Sequence, residues 1–325
     1  LAWGVFIAGV LQLFFQFPFL LKMGLLPRPR FDYKHEGVKR IFVLMVPALF
    51  GVSVSQINLL LDTILASFLQ TGSVSWLYYS DRLAELPLGI FGIAIATVIL
   101  PSLSRQHASQ SKQAFSNTID WALRIVILMG VPAALALIIL AEPLVTALFY
   151  YGELTQHDVF MSAMSLRAYA LGLLAFMLIK ILAPGYFSRQ DMKTPVKIGI
   201  WAMTANMVFN LILIWPLQHT GLALATAISS WMNALWLLSG LIKRNVYMRS
   251  AGWGLFSLRI ILANGFMLAL VYYMNPTTLE WFAMSVWQRC GWLSALVLAG
   301  VAIYFIVLLL SGMKLKALLR GVKSL

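Results

Sequence analysis

The chain holds a single cysteine, Cys290, among its 325 residues, so no intrachain disulfide and no thiolate metal cluster can form within it. It is as short of acids, with 11 Asp and Glu in all, and charged residues of both signs make up only 11%. An ordinary soluble domain carries roughly 25%. Too little polar surface is left to cover a water-soluble globule of this size. The four histidines (His35, His107, His157, His219) show no metal-ligand spacing. HExxH, GxxxxGK[ST], GxSxG and Asp-rich metal-diphosphate motifs are all missing, which leaves an enzyme as the weaker reading. Short alternating segments are missing too, and with them the signature of a transmembrane β-barrel.

What is present is apolar: 61% hydrophobic residues in continuous runs. The runs fit a polytopic, all-α membrane protein, a helical bundle. Nine spans are expected, at 1–21, 41–69, 74–101, 118–141, 159–185, 195–216, 220–242, 255–275 and 291–312. Net charge is +13, and its placement argues for membrane orientation rather than nucleic acid. Lysines and arginines gather in alternate connections (22–40, 105–112, 189–197, 243–249) and in the tail 314–323. The opposite connections hold only Arg289. By the positive-inside rule, Leu1 is expected outside and Leu325 in the cytoplasm. Arg124, Arg167, Lys180 and Arg259 fall within spans near their ends, where snorkelling to the headgroups is the simplest expectation. Pro47, Pro87, Pro132 and Pro184 should bend their helices. The tail KLKALLRGVK is a basic amphipathic candidate for an anionic lipid surface. Because the chain opens inside an apolar run, it is expected to be the later part of a longer protein.

Ionisable residues inside a bilayer are costly and therefore functional candidates. The third span carries the densest group, with Tyr78, Arg82 and Glu85 at i, i+4 and i+7 and Asp81 beside them. Arg82 lies about eight residues, roughly 12 Å, from the outer start. The group reads either as an anion site or as an ion pair tying helices together. Asp62, with Asn58 one turn earlier, joins Asn206, Asn210 and Thr226 as a set of oxygen ligands for a hard monovalent cation. Interhelical hydrogen bonding without a ligand explains the same residues equally well. Gln12 and Gln16 give the first span a polar stripe.

Three stretches carry a resemblance: YYSDRLAELPLGIFGIAIATVILPSLSR, LAWGVFIAGVLQLFFQFPFLLKMGL and IKILAPGYFSRQDMKTPVKI. They resemble the MurJ/MviN lipid II flippases of the multidrug/oligosaccharidyl-lipid/polysaccharide exporter superfamily. The resemblance implies fourteen spans in two six-helix lobes plus two further helices, with this chain supplying the sixth through fourteenth. Residues 1–40 would then be the last span of the N-terminal lobe with a cytoplasmic linker. Residues 41–242 would form the C-terminal six-helix lobe, and 243–325 two additional spans with a basic cytoplasmic tail. The implied activity is flipping of lipid II, the undecaprenyl-pyrophosphate-linked peptidoglycan precursor, across the bacterial cytoplasmic membrane by alternating access. The resemblance implies Arg82, with Asp81 and Glu85, as substrate-binding residues, and Tyr78 on the same face and the polar stripe of Gln12 and Gln16 join them as candidates. Asp62, Asn206, Asn210 and Thr226 match a sodium site of some members, with Asn210 where those members have an acid. No organic cofactor is expected, and coupling to Na+ or H+ is. Expected partners are lipid II, membrane lipids and the N-terminal lobe, with no nucleic acid. The alternatives are an exporter of other polyprenyl-linked oligosaccharides or drugs, and a non-transporting cell-wall scaffold.

Overall fold

The computed structural model describes residues 2–24 and 36–313. The basic residues at 25–35, the tail at 314–325 and the side chain of Pro47 lie outside the described residues. The chain divides into two compact units, Leu1–Leu49 and Phe50–Leu325.

The first unit holds helix α1 (Ala2–Lys22) and the start of α2 (Glu36–Ser67). Trp3, Phe6, Phe14 and Phe15 of α1 are all exposed. Apolar surface all round a helix suits hydrocarbon as its solvent.

The second unit continues α2 and adds α3 (Ser73–Pro87), a π-helical turn (Leu88–Ile93) and α4 (Ala94–Ala108). Then follow α5 (Lys112–Ile139), α6 (Ala141–Phe149), α7 (Gln156–Phe187) and α8 (Lys193–Lys243). The last are α9 (Trp253–Met274), α10 (Thr278–Ala283) and α11 (Val286–Leu310). Pro87 has no amide hydrogen to donate, and the helix widens into the π turn at the next residue. α3, the turn and α4 thus form one apolar run, Ser73–Ala108, able to cross a bilayer.

Helical hydrogen bonding runs through all 51 residues of α8, yet the helix cannot be straight. Asn206 Nδ2 donates to Thr226 Oγ1 at 3.2 Å, whereas 20 residues of straight helix span about 30 Å. The reversal lies at Gln218, whose φ of 49° and ψ of −131° leave the helical region two residues after Pro216. Each half is one of the expected spans 195–216 and 220–242. Gly221 makes the reversal possible, because a Cβ there would run into the backbone carbonyl of Leu213.

α7 is the hub: it touches α3, α4, α5, α6 and both sides of the π turn, and it packs most extensively on α8. Its buried residues alternate large side chains such as Leu166, Tyr169, Leu173 and Met177 with small ones, including Ser162, Ala163, Ser165, Ala168, Gly172 and Ala175. Lipid offers helices no hydrophobic drive to associate, so close approach through small residues does that work. α9 and α11 pack on each other and on α5, and Tyr304 of α11 donates to the Leu128 carbonyl at 2.7 Å. Capping boxes at Thr155/Asp158, Thr277/Glu280 and Ser285/Gln288 fix the starts of α7, α10 and α11.

Two of the charges expected to snorkel do not. Arg167 donates to Glu142 at 2.7 Å and to the Ile138 carbonyl at 3.3 Å, tying α7 to α5 and α6. Arg124 donates to Asp120, to Ser250 and to the Ala251 carbonyl, and lies over the Trp253 ring. Asp120 also accepts from Tyr247, Ser250 and Trp253, so one carboxylate fastens α9 to the bundle. In both cases a partner lay within reach, and a paired guanidinium needs no headgroup.

The α7–α8 contact carries a prediction. A Cβ on Gly172 would sit 2.8 Å from the Ala227 Cα. Gly172→Leu should therefore destabilise the bundle by about 1–3 kcal/mol or more, read as a lowered thermal midpoint in detergent. An unchanged midpoint would mean the two helices can separate freely.

Candidate functional site

α3 turns one face to the bundle and the other outward. Trp76, Leu77, Ser80, Leu83 and Ala84 are buried. Ser80 Oγ bridges the Trp76 and Ser162 carbonyls at 2.7 and 2.6 Å, and Trp76 Nε1 donates to Asp158 at 2.8 Å. With that face pinned to α7, helical period alone sends Tyr78, Arg82 and Glu85 the other way. There Arg82 reaches Asp81 at 3.1 Å and Glu85 at 2.8 Å, and its guanidinium carbon lies 5.3 Å from the Tyr78 ring centroid. All four residues expected together are together. The Arg82 side chain keeps 47% exposure, with Asp81 at 31% and Glu85 at 50%. The open side of the group leaves the guanidinium accessible to a further anion.

The second group is closed. Asp62 on α2 accepts from Asn210 at 2.6 Å and from Thr226 at 3.3 Å. Asn210 also donates to Asn206 at 3.0 Å, and Asn206 donates to Thr226. The four side chains form a ring of hydrogen bonds linking α2 with both halves of α8. Asp62, Asn206 and Asn210 are buried, the last completely. One acceptor in the ring has no partner, Asn210 Oδ1, and Asn58 Oδ1 one turn before Asp62 is likewise unpartnered. These orphaned oxygens, the two of Asp62 and those of Asn206 and Thr226 are hard donors with one formal charge among them. That chemistry fits a monovalent cation better than a divalent one. Among the described residues no group of three or more His, Cys, Asp or Glu side chains gathers for a metal.

Gln12 and Gln16 lie in the first unit, one turn apart on α1 and exposed. Arg289, which the sequence placed as the one basic residue of the outer connections, has a different setting in the structure. Arg289 is buried at the start of α11, donating to the carbonyls of Tyr150, Trp281 and Phe282 at 3.0–3.1 Å, with the Tyr150 ring 4.9 Å away. No spacing in the sequence announces a cation held by backbone carbonyls.

Comparison with known proteins places this geometry. A family model described as lipid II flippase MurJ matches residues 1–291. A probable lipid II flippase MurJ of Vibrio cholerae is 51% identical over 320 residues, covering 98% of this chain and 61% of the relative. One from Haemophilus influenzae is 51% identical, covering 97% of this chain and 62% of the relative. The chain thus spans about three-fifths of the length of the curated relatives it matches. Among solved structures, a lipid II flippase MurJ in an inward closed conformation superposes with a TM-score of 0.69 at 25% identity, over 86% of this chain and 55% of that one. An outward-facing multidrug resistance MATE transporter of the MOP superfamily gives 0.54 at 17% identity, over 87% of this chain and 67% of that one, a likeness of fold. With residues 1–291 matched and half of its residues shared with relatives along nearly its whole length, the chain belongs to the MurJ family of lipid II flippases.

Proposed function

We propose that this chain is the part of a lipid II flippase that carries the C-terminal lobe and the two helices beyond it, and that Arg82 binds the pyrophosphate of the substrate. The observation that carries this reading is the arginine fork held half open between Asp81 and Glu85 on the outward face of α3. A diphosphate diester bears about two negative charges and cannot cross hydrocarbon bare. Arginine suits it, because its planar fork donates in pairs and keeps its proton when desolvated. In the resting arrangement the two acids outnumber the one base, so phosphate must displace at least one carboxylate. That exchange couples substrate arrival to a change in the forces on α3. The cavity of a drug-cation exporter would instead need an acid free of its arginine, which this face does not offer.

The Asp62 ring supplies the natural place for a coupling cation. Asp62, Asn206, Asn210 and Thr226 would hold sodium through their oxygens, replacing hydrogen bonds that now join three helical segments. A bound ion would add charge neutralisation at Asp62, and the residues themselves set which helices are held together. The basic connections 105–112, 189–197 and 243–249 face the cytoplasm in this reading.

Three results test these assignments. In cells that depend on the complete protein, Arg82→Ala should abolish growth and the appearance of lipid II on the outer leaflet while the protein still accumulates. Arg82→Lys should keep part of the activity, since charge survives and the fork does not; wild-type growth of the alanine variant would leave only an ion pair. Asp62→Asn should make transport insensitive to sodium, and an unaltered ion response would reduce the ring to interhelical hydrogen bonding. For orientation, cysteines replacing exposed Thr71 and Gln218 in a Cys290→Ser background should react with an impermeant maleimide from outside. One replacing Gln110 should not, and reversed labelling would invert the topology.

A further inference from the structure

On the basic side of the second unit, the turns after α4, α7 and α8 enclose a cleft of about 490 Å³. Lys112, Arg189, Arg244, Gln110, Asn245 and Phe115 are among the side chains that line it. Membrane orientation explains why this side is basic; it does not explain why three cations share one concavity. Arg244 is compensated: it donates to Asp191 at 2.6 Å and to Thr194 at 3.1 Å. Partial burial works to raise the Asp191 pKa, but hydrogen bonds from Thr194 and Arg244 outweigh it and hold the carboxyl below its ordinary value. Among the described residues, neither Lys112 nor Arg189 has a carboxylate within ion-pair distance. The cleft therefore keeps two uncompensated positive charges.

Two of its wall residues stand where the backbone favours glycine. Gln110 and Asn245 have φ of 55° and 52°, each in the turn that closes a helix C-terminus. The amide of Ser111 reaches back to the Gln106 carbonyl and that of Val246 to the Leu241 carbonyl, the bonding pattern of a glycine-ended helix. A side chain at such a position is unfavourable for the turn itself. At both positions that side chain is an amide, able to donate and accept, and at both it lines the cleft.

We propose that this cleft binds a phosphate-bearing anion with a polar, hydroxylated head, of the kind an anionic glycerophospholipid presents. Lys112 and Arg189 hold the phosphate, the latter through its fork. Gln110 and Asn245 meet the hydroxyls, and Phe115 covers the apolar flank. The volume lies within the roughly 300–1,000 Å³ of small-molecule sites, more room than a bare phosphate fills. The same head chemistry exists free in solution as glycerol 3-phosphate, so the test must separate the two sources.

The test uses the full protein in a neutral detergent. Binding of dihexanoyl phosphatidylglycerol is measured by calorimetry against dihexanoyl phosphatidylcholine, which has the same chains and no net charge. The glycerol lipid should bind at least about tenfold more tightly, and Lys112→Ala/Arg189→Ala should remove that preference. Lys112→Arg/Arg189→Lys should keep it. Arg189→Gln alone, which deletes one charge and spares the size of the side chain, should weaken binding severalfold if the double variant does not fold. Displacement by millimolar glycerol 3-phosphate assigns the site to a soluble anion, and retention of the lipid against it assigns the site to the membrane. Equal binding of the two lipids, or a preference that survives in folded alanine or glutamine variants, overturns the proposal.

Discussion

Hydrocarbon offers no hydrogen-bond partner, so a chain with this much apolar surface must satisfy most of the polar groups it carries from within. That constraint orders the structure more than any single contact. It explains why Asp62 is met by an amide and a hydroxyl, why Arg167 is met by Glu142, and why Arg289 is wrapped by three carbonyls. It also explains the shape of the scaffold. Helices that gain nothing from burying leucine against leucine come together where side chains are small, as along α7, and where one polar group spans two elements.

Against that background the two polar clusters differ in kind. The Asp62 ring is closed, and removing any one member would take a partner from two others. The Arg82 group is open, its ions half exposed and its bonds weak enough to trade. A closed ring suits a part that holds one arrangement until something of matching charge replaces its bonds. An open group suits a part that must accept and release a large anion. α3, which carries Arg82, packs on α7 and α8, and the ring includes residues of α8, which itself packs on α7, so a change at either is felt by the same scaffold.

Much of this was legible in the residues. Apolar runs located the six helices that, among the described residues, are long and apolar enough to cross a membrane, including the break between 216 and 220 inside one of them, because length and hydropathy are local properties. The face made by Tyr78, Arg82 and Glu85 was legible for the same reason, since helical period is local. The grouping of Asp62 with Asn206, Asn210 and Thr226 was read from their being polar side chains inside apolar spans and again from family resemblance, although it joins positions up to 164 residues apart. The pairing of Arg167 with Glu142, the carbonyl cradle of Arg289 and the cleft around Arg189 were not legible at all. Each depends on which turns meet, and periodicity within one helix says nothing about its neighbours. Family resemblance also supplied the proposed substrate class, which composition and charge alone left open among lipid-linked sugars, drugs and no cargo.

The contact of Gly172 with Ala227 has a mechanical consequence. Where a backbone already touches a backbone, two rods can neither approach nor roll over one another without first parting. α7 and the second half of α8 are therefore one stiff beam. Any rocking of this lobe has to be taken up at its joints: the reversal at Gln218, the widened turn after Pro87 and the short links between helices. Movement in such a machine would be the swinging of a rigid arm about those joints, and Arg82 lies close to one of them.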